Sequence, residues 1–165
     1  MIESRNPFLI STQQSRKLIM AIQTPPTTAQ ELETSLNEIV KKADQIDAIF
    51  VYDLKNSFVL HKSTHVKDRQ LFETLFGDKA TAMASFGNLR NVGEAVNKFA
   101  KEAGRGELNY SVFQLKEGLL LMYFDTLGRI PIAIGFISAG QVGLGNLLFY
   151  SERHIDEIKG LLGKL

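Results

Sequence analysis

Apolar residues recur at helical spacing in the first part of the chain. Five of them form one stripe: Leu32, Leu36, Ile39, Val40 and Ala43. A stripe one helical turn apart is typical of an amphipathic helix that packs on a core. Thr28 is a suitable N-cap and Glu31 stands at the offset that completes a capping box. The pattern therefore predicts a helix that is capped by Thr28 and ends near Ile46.

A second helical pattern extends from about residue 68 to 103 and is weakened in the middle by Gly77-Asp78. Its second piece carries one apolar stripe, made of Phe86, Leu89, Val92, Val96, Phe99 and Ala103. We expect this stripe to lie in the core and the polar residues between its members to face solvent. A third pattern predicts a last helix over about 143–162.

Five short segments are typical of strands. Three of them are apolar on both sides and are expected at the centre of a sheet: 48–53, 119–124 and 130–137. Two alternate between apolar and polar residues and are expected at its edges: 57–62 and 107–114.

Short turns predict how the strands pair. Residues 53–56 join the first two strands, Lys116-Glu117-Gly118 joins the third to the fourth, and 125–129 joins the fourth to the fifth. The two hairpin units must then meet through their apolar strands. The prediction is an α/β (α+β) domain of order α-β-β-α-β-β-β-α, with a five-stranded antiparallel sheet of order 2-1-5-4-3 sandwiched by helices.

Composition narrows the possible classes of function. The formal charge is only +1, which does not favour binding to nucleic acid, and no cysteine is present for a disulfide, a thiolate metal site or a Cys nucleophile. The apolar tract 130–150 contains four glycines and three polar residues, so it is better explained as a strand and a helix start than as a membrane span. The N-terminus is a poor secretory signal, and we expect a cytoplasmic protein.

The first residues differ from the rest. Apolar clusters alternate with polar stretches up to Pro25-Pro26, which restrict the backbone. We assign 1–28 to an N-terminal extension and 29–165 to one domain. The apolar clusters favour docking of the extension, either on its own domain or on another protein.

Three segments of the predicted domain resemble the roadblock (dynein light chain) family. They are LNEIVKKADQIDAIFVYD at 36–53, NKFAKEAGRGELNYSVFQLKEGLLLMYFD at 97–125 and IPIAIGFISAGQVGLGNLLF at 130–149. The resemblance covers roughly 29–165 and includes the strand order. The family usually has an Asp-Gly-type turn in the first hairpin, where this chain has Asp53-Leu54-Lys55-Asn56.

The resemblance implies a protein without catalytic activity or cofactor, of the prokaryotic GTPase-regulator type. Roadblock domains form homo- or heterodimers that merge two sheets, and they serve as platforms for small Ras-like GTPases, motor complexes, or polarity and motility systems. We therefore expect a homodimeric regulatory or scaffold protein that binds a small Ras-like GTPase in polarity, motility or signalling.

Two surfaces are candidates for these contacts. The polar residues of the second helical pattern are candidates for binding the partner: Asn88, Arg90, Asn91, Glu94 and Lys98. An alternating edge strand and nearby small residues are candidates for the dimer interface: Leu108, Tyr110, Val112, Ala84 and Gly87.

Other residue groups have simpler explanations than chemistry. His61 and His65 are four apart, but the first ends a strand and the second lies in a loop, so no metal site is expected. The glycine-rich stretch 140–145 lacks the Gly-Lys-Ser/Thr ending of a phosphate loop and is interpreted as a tight turn. Asp53, Glu117 and Asp125 are interpreted as turn formers.

A second class of function stays open. The fold could also serve as a small-molecule sensor or an accessory subunit. Such a protein should have a pocket lined by a few converging polar groups, and the sequence alone identifies none.

Overall fold

A computed structural model describes residues 26–73, 77, 79–138 and 140–165, with the backbone alone over 79–89. In chain order its elements are α1 (Thr28–Lys42), β1 (Ile46–Asp53), β2 (Phe58–Lys62), α2 (Arg69–Phe72), α3 (Lys79–Glu102), β3 (Tyr110–Leu115), β4 (Gly118–Leu127), β5 (Ile130–Ser138) and α4 (Leu144–Leu162).

The five strands form one antiparallel sheet in the order β2-β1-β5-β4-β3. The fold class and strand order predicted from the sequence are thus confirmed. β1 lies beside β5 with Ile49 opposite Phe136 and Phe50 opposite Gly135. This pairing joins the two hairpin units, as the apolar character of both strands required.

The sheet is covered on both faces. Successive strand residues point to opposite sides, so they enter two different cores. On one face, Ile49, Val51 and Phe136 pack in a core with α1 and α4. On the other face, Phe50, Tyr52 and Met122 form a second core. The central strands are apolar on both sides because each side faces its own core.

Helix α1 begins one residue earlier than the capping pattern predicted. The N-cap is Thr27, whose hydroxyl accepts a hydrogen bond from the Gln30 N–H, while the Gln30 side chain accepts one from the Thr27 N–H. The helix also ends earlier, at Lys42, because Ala43 is already extended. Ile46, predicted as the helix end, is instead the first residue of β1.

The edge strand β3 begins at Tyr110, later than the predicted start at 107. Leu108 precedes the strand, and its N–H donates to the Asn97 side chain at 2.9 Å instead of joining the sheet. This hydrogen bond ties the approach to β3 to helix α3.

The first hairpin turn is held by one buried carboxylate. Asp53 accepts hydrogen bonds from the N–H groups of Lys55 and Asn56 and from the Asn56 side chain, each at 2.8 Å. Burial alone would raise the pKa of Asp53, but the hydrogen bonds from Asn56 and Lys55 outweigh it and lower that pKa. Ser57 completes the turn with a φ of 60°. Hydrogen bonds to the Asp53 side chain thus stabilise this hairpin turn, which contains no glycine.

The predicted extension over residues 1–28 falls almost wholly outside the described residues, and its boundary stays a prediction. Within the described part of the chain, no helix combines the length and the apolar character that crossing a bilayer requires.

Candidate interaction surfaces

Helix α3 lies on the face of the sheet that holds Phe50 and Met122. The Arg90 guanidinium donates to the Lys55 carbonyl in the first hairpin turn at 3.4 Å. Gly93 lies against Phe124 of β4, where an added Cβ would be 3.2 Å from the ring. Together with the Asn97 bond to Leu108, these contacts fix the side of α3 that faces the sheet.

The apolar stripe of α3 lies on another side of the helix, about a third of a turn away. Val92, Val96 and Phe99 are 45%, 41% and 69% exposed, so their predicted burial in the core of this chain is wrong. The side chain of Leu89 lies outside the described residues. With about 3.6 residues per turn, a helix that points Arg90, Gly93 and Asn97 at the sheet must point this stripe away. The sequence pattern correctly identified an apolar face but could not show that the domain leaves it uncovered.

The candidate partner-binding residues divide into two groups. Arg90 and Glu94 lie towards the sheet and form an ion pair at 2.8 Å. Asn91 and Lys98 are exposed farther round the helix. The side chain of Asn88 lies outside the described residues. The polar set is therefore a band along the helix flank rather than one flat patch.

Three of the candidate dimer residues, Leu108, Tyr110 and Val112, lie at or near the β3 edge of the sheet. Tyr110 is exposed in β3, with its ring 5.6 Å from that of Tyr123. Val112 is half-buried against the core that α1 and α4 cover. Leu108 lies before the strand, while the side chains of Ala84 and Gly87 are outside the described residues. β3 pairs with β4 on one side and forms the margin of the sheet on the other.

A cleft of about 380 Å³ opens between the second half of α3 and the ends of β1, β4 and β5. We call it the Arg90 cleft. Its floor is apolar and contains Leu54, Leu108 and Phe124. Its rim is polar and contains Arg90, Glu94, Asn97, Asn109 and Thr126. Sequence reasoning missed this cleft, although a glycine inside a helical pattern, Gly93, is a sign of close packing.

The remaining candidate residues lie in a strand and in loops. His61 lies in β2 and His65 in the loop after it, and no group of three metal-ligating residues occurs in the part of the chain that the structure describes. Burial lowers the pKa of His61. A Cβ added at Gly140 would lie 3.6 Å from the Glu117 backbone, which agrees with a tight turn before α4.

Comparison with solved structures identifies the fold. MglB from Myxococcus xanthus superposes with a TM-score of 0.59 at 14% identity, covering 82% of this chain and 97% of that one. The gliding protein MglB from Thermus thermophilus gives 0.61 at 13% identity, covering 86% and 96%. A Roadblock/LC7 domain from Streptomyces avermitilis gives 0.55 at 11% identity, covering 79% and 96%. This chain has the fold of a roadblock domain.

The likeness is one of structure. No protein-family model matches the sequence, and a search of curated proteins finds no match. An MglB structure with a tetrameric arrangement also shares the fold, with a TM-score of 0.63 at 13% identity, covering 86% of this chain and 94% of that one.

Proposed function

We propose that this roadblock domain acts as a homodimeric, non-enzymatic regulatory or scaffold protein that binds a small Ras-like GTPase. One observation carries the proposal: helix α3 presents Val92, Val96 and Phe99 to solvent along one side. A contiguous apolar surface of this kind is typical of a protein interface. The resemblance to the roadblock family supplies the expected class of partner.

A second copy of the chain is the occupant that fits this stripe. Two identical helices packed about a two-fold axis bury the same residues on both sides. Fully burying one such side chain contributes up to about 1.5–3 kcal/mol. Six partly exposed side chains, three from each copy, would together offset a substantial part of the entropy lost on association.

The edge strand supports the same arrangement. The outer edge of β3 is the margin of the sheet, and unpaired strand edges are usually covered. Pairing β3 with its twin extends one sheet across both copies. The stripe and the strand edge would then form one interface.

Light scattering on the purified chain tests the dimer. We expect a dimer at micromolar concentration and a monomer for Val96→Asp combined with Phe99→Asp. Phe149→Asp is the matched control, since Phe149 is also largely exposed but lies on α4. A wild-type monomer, or a double variant that remains dimeric, would contradict the proposed interface.

The flank of α3 is our candidate for binding the GTPase. Asn91 and Lys98 are exposed there, beside the Arg90–Glu94 pair. In a symmetric dimer this flank occurs twice, which provides a broad surface for one globular partner. The polar side chains leave the apolar stripe free for the second copy.

A pull-down from the native host tests the class of partner. The bait is loaded onto resin and the lysate is supplied with GDP or with a non-hydrolysable GTP analogue. We expect a Ras-like GTPase to bind in one nucleotide state, and Asn91→Ala combined with Lys98→Glu to weaken it. Glu152→Lys on α4 serves as the control, because it alters an exposed charge away from α3. If no GTPase is retained in either nucleotide state, the GTPase proposal is wrong and only the scaffold role remains.

The alternative function, a small-molecule sensor or accessory subunit, gains support from the Arg90 cleft. Its apolar floor and polar rim match the pocket that such a function requires. Binding of a free small molecule to the cleft, with no GTPase retained by the same protein, would favour this alternative.

A further inference from the structure

The polar rim of the Arg90 cleft is held in position by bonds within the domain. Arg90 pairs with Glu94 at 2.8 Å and reaches the Lys55 carbonyl, while Asn97 holds the Leu108 N–H. These bonds join α3 to both neighbouring loops. An occupant would meet walls that are already ordered, which reduces the entropy lost on binding.

Charges around the cleft are already neutralised. The carboxylates of Glu94 and Glu107 pair with Arg90 and Lys101 at 2.8 and 2.9 Å, and that of Asp125 pairs with Lys159 of α4, on the other face of the sheet, at 3.0 Å. A free anion or cation would have to compete with these pairs. The cleft is thus better suited to an uncharged group than to a carboxylate or an ammonium ion.

The floor and the rim select the shape and polarity of that group. Phe124 presents a ring on the floor, and aromatic rings attract one another in offset or edge-to-face arrangements. The planar guanidinium of Arg90 lies on the rim and stacks well on aromatic faces. Asn109 and Thr126 bring amide and hydroxyl groups to the same rim, where they can bond a phenol O–H or an indole N–H.

We propose that the Arg90 cleft is a docking site for one aromatic side chain, a tyrosine or a tryptophan, presented by the partner protein. Such residues combine a large apolar ring with one polar atom, and they dominate binding energy where they enter pockets. The identity of the partner as a GTPase rests on the proposed function. The preference of the cleft for an aromatic ring rests on the cleft alone.

The cleft would remain open in the proposed dimer. Arg90, Gly93 and Asn97 lie on average about a third of a helical turn from Val92 and Val96, on the neighbouring side of α3. A second copy centred on Val92 and Phe99 would pack beside the cleft and leave it accessible. Each dimer would carry two clefts, one on each side of the two-fold axis.

Blocked amino acids test the preference on the ¹⁵N-labelled full chain without any partner. N-acetyl-tyrosinamide and N-acetyl-tryptophanamide should shift the amide signals of Gly93, Asn97, Asn109 and Thr126 in a saturable way at millimolar concentration. N-acetyl-leucinamide and N-acetyl-aspartamide should bind several-fold more weakly. Equal shifts from all four probes, or no saturable shift from either aromatic probe, would overturn the proposal.

Two variants that place a large ring on the rim should block the cleft. Asn109→Trp and Thr126→Trp both change exposed residues and should fold, as unchanged melting curves would show. Each should abolish the aromatic titration, whereas Asn91→Trp, on the exposed flank of α3, should retain it. Titration that persists in both rim variants would place the ring elsewhere and overturn the proposal.

Two further experiments test whether the ligand of the cleft is a side chain of a partner protein and whether that partner is a GTPase. Free tyrosine that binds more tightly than its blocked amide would indicate a free ligand instead of a side chain and overturn the assignment to a partner protein. A GTPase that binds wild type and both rim variants equally would also overturn it. A positive aromatic titration in a protein that retains no GTPase would support the cleft and contradict the proposed function.

Discussion

Gly135 of β5 and Phe50 of β1 are opposite each other, and the Phe50 ring fills the space that a side chain at position 135 would occupy. Both residues lie in the middle of the sheet, on the face covered by α3. The missing Cβ is therefore a packing requirement, since Gly135 does not have a positive φ.

We expect Gly135→Ala to destabilise the fold by about 1–3 kcal/mol or more, because a methyl group must displace a buried ring. Phe50→Leu should relieve part of this effect when the two changes are combined. Urea unfolding of the four proteins in this cycle measures the coupling between the residues. Strictly additive effects would show that the ring and the glycine do not constrain each other.

Gly93 provides a second close approach, this time between helix and sheet. A leucine there would press α3 away from Phe124, so we expect Gly93→Leu to lower the free energy of unfolding by about 1–3 kcal/mol. Gly160→Leu is the control: it lies in α4 with open space around it and should gain up to about 1 kcal/mol from helix propensity. Chemical denaturation distinguishes the two, and effects of the same sign would contradict this account.

The hairpin carboxylate should make stability depend on pH. The folded-state pKa of Asp53 is lowered from its ordinary value of 3.8, so its contribution is present above that value and is lost as pH falls through the folded pKa. Asp53→Asn should therefore destabilise the protein at neutral pH and matter progressively less in acid. Urea unfolding at several pH values tests this dependence.

Asp47 offers a control of opposite sign. Burial raises its pKa in the folded state despite the nearby Lys67 charge. Its contribution is therefore favourable at low pH and is lost as pH rises through the folded pKa. Asp47→Asn should stabilise the protein at neutral pH. Parallel pH profiles for the two variants would be inconsistent with these environments.

The edge strand gives a prediction about assembly. Val112→Pro removes the N–H at that position and strains β3, so we expect a weaker dimer. Analytical ultracentrifugation across a dilution series would show the dissociation constant rise. Thr126→Pro, near the end of β4, is the comparison, since it alters a strand away from the proposed interface. Equal weakening by both changes would indicate general destabilisation of the sheet.

Strand order was predictable from the sequence because the pattern of apolar and polar residues distinguishes central strands from edge strands. The run from Ile130 to Ile137 has no polar residue, so it needs neighbours and cover on both sides, whereas 57–62 does not. The cap of α1 was placed one residue late because Thr27 and Thr28 are chemically equivalent candidates. Only the backbone conformation, extended at Thr27, decides between them.

The Arg90 cleft could not be predicted in the same way. It depends on α3 being held by Lys55, 35 residues before Arg90, and by Leu108, 11 residues after Asn97. Periodicity along a helix identifies its apolar side but does not show which side faces the sheet. Gly93 and Asn97, a small residue and an amide, occupy the positions of α3 that face the sheet. The apolar stripe is therefore exposed, whereas the sequence pattern predicted that it would be buried.

The pairing of β1 with β5 has a consequence for synthesis on the ribosome. Ile49 finds its neighbour Phe136 only after most of the chain has been made. Until then β1 can pair with β2 alone, and its inner edge is open to other strands. The long loop between β1 and β5 must close before the central contacts can form, and the entropy lost in closing it slows folding. The nascent N-terminal hairpin is therefore the stage at which this chain most needs protection from aggregation.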